Sequence, residues 1–350
     1  MSITQGRRRF LTNVALAGAT GLGGIGAAGL RGGRKSFAAE PPPETTTVRF
    51  EKDSGTCIAP QAFEELPYAE GFTDIHYVDL SDAHIRRAEA AAAVPIPDML
   101  AHGDVDFARS FAPSLLISMN AGAPLTILAG LHLGCYEVFG KESIHGIADL
   151  KGRTVGVDGP DERSLLVIMT AWVGLDPARD IRWVASGSVG SMQLFADGKI
   201  DAFLTLPPAL QEVQARNIGH VVLSEITDRP WSEYYCCMLA ARTEFVRRYP
   251  VATKRVLRAL LNGADLCVSE PKRVARLLVD RGYATRYDYA LQGLREVRYD
   301  VWRDYDPEDS LRFYGLRLYE VGLIKSDPEK LIAEHTDWRF LNELKHGLKA

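Results

Sequence analysis

Two side chains with strong hydrogen-bonding chemistry, Arg109 and His132, follow predicted strands in this 350-residue chain. The guanidinium of Arg109 offers a planar fork of N–H donors that suits an oxyanion, and the alternative is a salt bridge within the protein. His132 comes directly after an apolar strand that ends at Leu131, and the alternative is a buried histidine with an internal partner. Because ligands of open α/β sheets lie beyond the carboxyl ends of strands, often at helix N-termini, these positions predict a small-molecule site.

Other polar and aromatic residues near predicted strand ends complete the candidate site. The residues expected to contact a ligand are Ser54, Thr56, Cys57, Arg109, Ser110, His132, Tyr136, Asp158, Arg163, Ser164, Thr205 and Tyr235. Tyr136, Trp231 and Tyr235 could stack on a ring of the ligand or close the site, and core packing is the alternative for each. The chain contains no G-x-S-x-G, H-E-x-x-H or Walker sequence, so the pattern predicts binding and no catalytic residue.

A short motif occurs twice, 95 positions apart, and predicts a duplicated unit. The first copy reads AHGDVD at 101–106 with Pro113 after it, and the second reads ADGKID at 196–201 with Pro208 after it. Each copy predicts a helix ended by a left-handed glycine, a short buried strand, a loop, and a proline in the first turn of the next helix. Such units are common in α/β proteins, but five matched positions without a gap favour duplication. We therefore expect two similar lobes, with the loops at 109–110 and 204–205 facing each other across a cleft.

Strands alternate with helices up to about residue 239, and the chain is then nearly all helical. The predicted strands are 47–50, 75–78, 105–108, 125–131, a strand ending at 157, 181–184, 200–204, 221–223 and 234–239. The predicted helices are 60–68, 84–93, 115–120, 165–173, 243–249, 251–268, 271–280, 287–299, 308–321 and 328–334. This alternation predicts βαβ units and a mainly parallel sheet.

Residues 1–39 are predicted to be a secretory signal, because they contain six Lys/Arg, no Asp/Glu and an uncharged glycine-rich stretch. The pair Arg8-Arg9 followed by Phe-Leu resembles a twin-arginine export signal, with cleavage near Ala38 or Ala39. The alternative is an uncleaved N-terminal anchor. Export predicts a periplasmic location, where disulfides are permitted. Without this segment acidic residues outnumber basic ones, 45 to 35, which argues against nucleic-acid binding.

The chain has five cysteines: Cys57, Cys135, Cys236, Cys237 and Cys267. An odd number leaves at least one thiol free or paired between chains. The adjacent pair at 236–237 lies in an apolar run and is predicted to be buried as two small hydrophobic side chains. The chain contains no C-x-x-C pair and no metal-site spacing, so neither a metal nor a cofactor is expected.

Three segments carry a resemblance to a known family: GDVDF at 103–107, IADLKGRTVGV at 147–157 and GKIDA at 198–202. Over about 45–345 the chain resembles the solute-binding proteins of the nitrate/sulfonate/taurine class of ABC importers (SsuA/THI5-like, NMT1-like). This group shares its fold with the thiamine-pyrimidine-synthesis proteins. The resemblance implies a two-lobed α/β periplasmic-binding-protein fold of type II, with duplicated lobes and a helical C-terminal third. Lobe I would comprise 47–134 plus 239–350, and lobe II 135–238.

The resemblance also implies a function, namely the periplasmic substrate-binding component of an ABC importer. Such a protein binds one small solute between its lobes by hinge closure. It would work as a monomer with an inner-membrane permease and without nucleic acid. Three carboxylates at 158–164 crowd a predicted helix N-terminus, which disfavours a simple anion such as nitrate unless Arg163 turns inward. A neutral or amine-bearing solute, possibly cyclic, is more compatible, although sulfonate-, nitrate- and taurine-like solutes stay open.

Two other functions stay open on the same fold. One is an enzyme of the pyrimidine-synthase or desulfinase type, whose sign would be Cys57 or Cys135 near His132. The other is a sensor subunit that presents a solute to a membrane signalling protein.

Overall fold

Two five-stranded sheets organise the fold in a computed structural model that describes residues 40–79, 95–186 and 190–347. The predicted export signal at 1–39 and the predicted helix at 84–93 lie outside the described residues. In the described part of the chain, every helix is too short or too polar to cross a lipid bilayer.

The elements follow one another along the chain as strand–helix units and then as a run of helices. The strands are β1 Thr47–Lys52, β2 Asp74–Asp79, β3 Phe107–Phe111, β4 Leu125–Leu133, β5 Glu137–Gly140, β6 Thr154–Val157, β7 Arg182–Ala185, β8 Ala202–Thr205, β9 His220–Ser224 and β10 Tyr235–Arg242. The helices are α1 Glu65–Ala69, α2 Ile96–His102, α3 Ala112–Asn120, α4 Pro160–Trp172, α5 Ser191–Ala196, α6 Ala209–Ala215, α7 Thr243–Arg248, α8 Pro250–Ser269, α9 Pro271–Asp280, α10 Tyr287–Glu296, α11 Pro307–Glu320, α12 Pro328–His335 and α13 Arg339–Gly347. Short 3-10 turns occur at Ala59–Ala62, Ile147–Leu150 and Trp231–Glu233.

The two sheets have the same strand arrangement. The first sheet has the order β2-β1-β3-β10-β4, and the second has the order β7-β6-β8-β5-β9. In each, one strand runs antiparallel to both neighbours, β10 in the first sheet and β5 in the second. The predicted two-lobed, duplicated α/β fold is confirmed. The predicted mainly parallel pairing is not, because four of the eight described strand pairings are parallel and the other four, all made by β10 or β5, are antiparallel. The lobe boundaries at 134/135 and 238/239 stay a prediction, and β10 runs across the second of them.

The glycines of the repeated motif adopt the conformation that the sequence predicts. Gly103 follows α2 and Gly198 lies two residues after α5, and both have a φ of 75°. Only glycine takes this left-handed conformation without steric cost, so each residue ends a helix and turns the chain into the next strand.

The aspartates of the repeat bind the neighbouring strand in the same way in both sheets. The N–H of Asp106 donates to the carbonyl of Arg49 (2.8 Å), and its Oδ2 accepts from the N–H of Arg49 (3.1 Å). The N–H of Asp201 donates to the carbonyl of Thr154 (2.7 Å), and its Oδ2 accepts from the N–H of Thr154 (2.9 Å). The other carboxylate oxygen accepts from a cation in each case, the Arg49 guanidinium or the Lys141 ammonium, both at 2.7 Å. The repeat is therefore a structural device that joins β3 to β1 and β8 to β6.

Most buried apolar side chains belong to one large core, and a smaller core fills part of the second sheet. The members of this smaller core are Phe139, Phe195, Ile200, Phe203, Leu210 and Val213. Phe203 lies at its centre, with ring centroids 5.1 Å from Phe195 and 6.0 Å from Phe139.

Three predicted elements differ from the structure. The helix predicted at 60–68 is split into a 3-10 turn and α1, because Pro67 has no N–H to donate to the preceding turn. The predicted loop at 109–110 is wrong: both residues lie inside β3, which pairs with the distant β10 along its whole length. Thr205 likewise lies inside β8 and pairs with Glu137 of β5. Two elements, β5 and α13, were not predicted at all.

Candidate functional site

One edge of the first sheet brings thiol, imidazole and guanidinium groups together. Cys57 lies in the loop that follows β1, and Arg109 is the middle residue of the short strand β3. His132 lies near the end of β4, and Cys237 lies near the start of β10. Because β10 is antiparallel to β3 and β4, its first residues meet the last residues of those strands. Three predicted site residues, Cys57, Arg109 and His132, therefore lie at the same end of the first sheet. This agrees with the general rule that ligands of open α/β sheets lie beyond the carboxyl ends of the strands.

Four thiols and one imidazole at this edge form a buried group, the thiol–imidazole cluster: Cys57, His132, Cys135, Cys236 and Cys237. A ring nitrogen of His132 and the Sγ atoms of Cys57 and Cys237 all lie within 4.8 Å of one another. The Sγ of Cys135 lies 3.7 Å from that of Cys57 and 3.3 Å from that of Cys236. Every residue of the cluster is at most 3% exposed. All of these cysteines are free thiols in the structure.

The cluster favours a separation of charge between sulfur and imidazole. Hydrogen bonds from the Cys135, Cys236 and Cys57 thiols lower the pKa of Cys237 well below its ordinary value, and the charge of His132 adds to this. Burial acts to lower the pKa of His132, but the neighbouring Cys237 and Cys57 sulfurs raise it overall. Nδ1 of His132 is 2.9 Å from the carbonyl oxygen of Leu133, whereas Nε2 is buried without a hydrogen-bond partner.

Arg109 takes the salt-bridge alternative. It is 8% exposed, and its guanidinium binds the carboxylate of Asp53 at short range. Its backbone N–H donates to Oε1 of Glu51 (2.9 Å), and its Nε lies 3.9 Å from the same oxygen. Nε itself is buried without a hydrogen-bond partner. Much of the donor fork predicted for an oxyanion is therefore directed at the protein's own carboxylates.

Glu51, which the sequence reasoning missed, is fully buried beneath Arg109. Burial raises its pKa from the ordinary 4.5 to about 8, and Arg109 opposes this shift. The folded protein thus holds a proton that the unfolded chain releases above pH 4.5. Between about pH 4.5 and pH 8 the free energy of unfolding should therefore fall as pH rises, by up to about 1.4 kcal/mol per pH unit.

Glu51→Gln should remove this contribution, because the amide is neutral at every pH. Urea unfolding at several pH values between 5 and 8 measures it, with the exposed Glu142→Gln as the matched control. We expect a flatter stability profile for the first variant and an unchanged profile for the second. Equal slopes in all three proteins would contradict the assignment.

The predicted residues of the second sheet have partners of their own, away from the thiol–imidazole cluster. Oδ1 of Asp158 accepts from the N–H of Ser191 (2.7 Å), at the start of α5. Arg163 is exposed, and its guanidinium carbon lies 4.8 Å from the ring centroid of Trp183. Ser164 donates from its hydroxyl to the carbonyl of Asp161 (2.9 Å). These contacts hold α4 and the start of α5.

The predicted site residues Tyr235, Tyr136 and Ser110 are all buried in the structure. Tyr235 is fully buried and donates to the carbonyl of Val301 (3.0 Å), so it takes the core-packing alternative. Tyr136 is nearly buried and lies edge-on to Phe111, with ring centroids 5.5 Å apart. Ser110 is buried with no hydrogen-bond partner for its hydroxyl.

The loop after β1 contains the other two predicted residues. The Thr56 hydroxyl is buried without a hydrogen-bond partner, and its carbonyl accepts from the Tyr299 hydroxyl (2.5 Å). Ser54 is exposed, and its N–H donates to Oδ1 of Asp53 (2.7 Å). Asp53 belongs to the strand-end segment 53–58, which the sequence placed at the site, but it was not among the residues expected to contact a ligand.

The first turn of α4 brings carboxylates toward the first sheet. Asp161 accepts a short hydrogen bond from the hydroxyl of Ser114 on α3. Burial raises the pKa of Asp161, with Ser114 and Arg109 opposing the shift. Burial and the neighbouring Asp161 raise the pKa of Glu162 to about 7. The positive charge of Arg109 is paired with Asp53, so the carboxyl groups of Asp161 and Glu162 add acidic groups between the two sheets.

Comparisons with known proteins identify similar chains. Residues 86–274 match the model of a family described as NMT1/THI5-like. A segment of 133 residues is 27% identical to the bicarbonate-binding protein CmpA of Synechococcus elongatus; the match spans 37% of this chain and only 29% of that relative.

Several solved structures share the fold at low sequence identity. The nitrate-binding protein NrtA of Synechocystis PCC 6803 superposes with a TM-score of 0.70 and 15% identity, over 88% of this chain and 90% of that one. The alkanesulfonate-binding protein SsuA of Xanthomonas axonopodis pv. citri, bound to MOPS, gives 0.65 and 15%, over 86% of this chain and all of that one. The desulfurization enzyme DSZB gives 0.55 and 17%, over 87% of this chain and 99% of that one.

Proposed function

Because the chain belongs to the NMT1/THI5-like family, we propose that it is the periplasmic substrate-binding component of an ABC importer. It acts as a monomer, binds one small solute between the two sheets and delivers it to a membrane permease. Residues 1–39 direct it to the periplasm by the twin-arginine route. The observation that carries the proposal is the fold shared with solute-binding proteins along nearly the whole described chain, together with polar groups at the strand edge where ligands of such sheets bind.

Contacts between the two halves support a closing motion around the solute. Gln211 on α6 donates to Oε2 of Glu296 on α10 (2.8 Å), and Ser114 on α3 donates to Asp161 on α4. These polar contacts join helices that flank different sheets. They can break and re-form when the halves separate, as hinge closure requires.

We propose that the solute is neutral or carries an amine. The relatives' names refer to bicarbonate, nitrate and alkanesulfonate, which are anions or carry an anionic group. Here the buried cation Arg109 is bound by Asp53, and Asp161 and Glu162 add carboxyl groups nearby. Such a site attracts a cationic donor and disfavours an unpaired anion.

Thermal unfolding of the full chain against nitrate, bicarbonate, sulfonates, taurine, amines and pyrimidines tests both proposals. A true solute at about 100 times its Kd should stabilise the protein by about 2.7 kcal/mol and be recovered unchanged. Tight binding of nitrate or a simple sulfonate that survives Arg109→Ala would overturn both the solute class and the site.

Asp161→Asn should weaken binding of the stabilising amine at least tenfold, because it removes the negative charge of a partly buried carboxylate that would bind the ammonium group. Asp197→Asn, a change to an exposed carboxylate that bonds Gln193 and Lys199, is the matched control and should leave the affinity unchanged. Isothermal titration of the amine into both variants measures the difference. Equal affinities would remove Asp161 from the site.

A second candidate function, an enzyme on the same fold, is favoured by one observation. Cys57 lies beside His132, the arrangement that would signal nucleophilic chemistry, and Cys237 adds a thiol of lowered pKa. The resemblance to DSZB in fold is compatible with it. The two functions differ in the fate of the solute, since a binding protein returns it intact and an enzyme consumes it.

A further inference from the structure

We propose that Cys57, His132 and Cys237 bind a zinc ion at the buried edge of the first sheet. This inference goes beyond solute binding and does not depend on it. The sequence contains no metal-site spacing because the three ligands come from three separate parts of the chain. The loop after β1, the end of β4 and the start of β10 bring them together only in the folded protein.

The ligand atoms are already close to the spacing that zinc requires. All three lie within 4.8 Å of one another. Zinc–sulfur bonds of about 2.3 Å and zinc–nitrogen bonds of about 2.0 Å place tetrahedral ligands about 3.5 to 3.8 Å apart. The ligand atoms must therefore approach one another by about 1 Å at most, a shift that cysteine side chains can make by rotating.

His132 is held in the form that a metal needs. Its Nδ1 is 2.9 Å from the carbonyl oxygen of Leu133, which can only accept, so Nδ1 carries the proton. Nε2 is buried with no hydrogen-bond partner, and it offers its lone pair to a metal once the metal displaces the Nε2 proton. A histidine bound to a backbone carbonyl through one nitrogen and to a metal through the other is a common metal-site arrangement. The unpartnered Nε2 is thus accounted for by a bound cation.

Charge balance favours zinc over a monovalent ion. Two thiolates neutralise Zn²⁺, whereas Cu⁺ would leave a net negative charge in a fully buried place. Arg109 does not supply the balancing charge, because its guanidinium is bound to Asp53. Cys135, whose Sγ lies 3.7 Å from that of Cys57, stays a neighbouring protonated thiol, because a third thiolate would give the buried site a net negative charge.

Cobalt titration of the full chain, purified reduced and free of metal, tests the proposal without any solute. We expect one equivalent of Co²⁺ to bind with a thiolate-to-metal charge-transfer absorption and tetrahedral ligand-field bands, and one equivalent of Zn²⁺ to displace it. Cys57→Ser and Cys237→Ser should each weaken binding at least tenfold and diminish the charge-transfer band. The matched control is Cys267→Ser, also a buried cysteine but on α8, which should bind as the parent does.

Circular dichroism of the metal-free variants separates lost ligation from lost folding, and a serine variant that misfolds is replaced by His132→Asn. Failure to bind cobalt, or equal losses in Cys267→Ser and Cys57→Ser, would overturn the proposal. So would a Cys57–Cys237 disulfide in protein isolated from the periplasm, detected by mass spectrometry without reduction as the loss of two hydrogens. None of these results bears on whether the protein binds a solute.

Discussion

Gly134→Ala should lower the free energy of unfolding by about 3 kcal/mol or more, at the upper end of the effects of overpacking. Gly134 lies where the chain passes from β4 of the first sheet to β5 of the second. A Cβ atom at this position would lie 2.1 Å from the carbonyl oxygen of Glu225 and 2.5 Å from its carbonyl carbon. Backbone atoms cannot rotate out of the way, so the two segments must separate.

This separation would affect both segments in which the chain crosses from one sheet to the other. The segment that contains Glu225 leads from β9 back to β10, and the N–H of Glu225 donates to the carbonyl of Tyr136 (2.9 Å). The two passages are thus hydrogen-bonded to each other next to Gly134. A methyl group there strains the part of the molecule about which hinge closure would occur.

Urea unfolding of the parent and two variants measures the effect. Gly146→Ala is the matched control, because Gly146 has an extended backbone (φ −165°) and an added Cβ would meet nothing within 4 Å. We expect a change within about 1 kcal/mol for the control, which alters only a partly exposed loop position. Similar midpoints for both variants would mean that the close approach at Glu225 relaxes without cost.

Phe203→Ala should cost about 3 to 5 kcal/mol, the range for removing a large aromatic side chain from a core. Phe203 is 1% exposed and occupies the centre of the smaller core of the second sheet. Because only six buried residues form that core, little neighbouring structure can collapse into the cavity. The loss should be concentrated in the second sheet.

Hydrogen exchange resolves where the stability is lost. Amides of β5, β6, β8 and β9 should lose protection in Phe203→Ala, while those of β1, β3 and β4 keep most of theirs. Val221→Ala is the control: Val221 lies in the same sheet but is 41% exposed, so its truncation should change little. A uniform loss of protection in both sheets would show that the two cores unfold as one.

Local sequence signals predicted many elements well because each signal acts over a few residues. The helix predicted at 271–280 coincides with α9, which begins at Pro271 and follows a strong amphipathic pattern. The repeated glycines ended their helices as expected, and the repeated aspartates marked equivalent strands. By contrast, β5 has only four residues, all buried, and its pairing with β8 and β9 depends on distant segments that no local pattern reveals.

The sequence predicted which segments of the chain lie at the candidate site, but it did not predict which residues there contact one another. The rule that ligands lie at strand ends drew attention to the segments containing Cys57, Arg109 and His132, which the structure brings to one end of the first sheet. It could not identify Glu51 as a partner of Arg109, because Glu51 faces β3 from within a neighbouring strand. Nor could it bring Cys237 to the same edge, since that requires β10 to enter the first sheet antiparallel. The roles of the twelve predicted residues stay predictions.

The central place of β10 in the first sheet sets an order of assembly during synthesis. The strands of the second sheet, β5 to β9, lie in one continuous stretch of chain, 137–224, and can pair as soon as that stretch exists. The first sheet cannot join β3 to β4 until residues 235–242 have been made, because β10 lies between them. Such long-range pairing is intrinsically slow. The nascent chain therefore completes its second sheet while the first still has an open centre, and Cys237 is the last member of the thiol–imidazole cluster to reach its place.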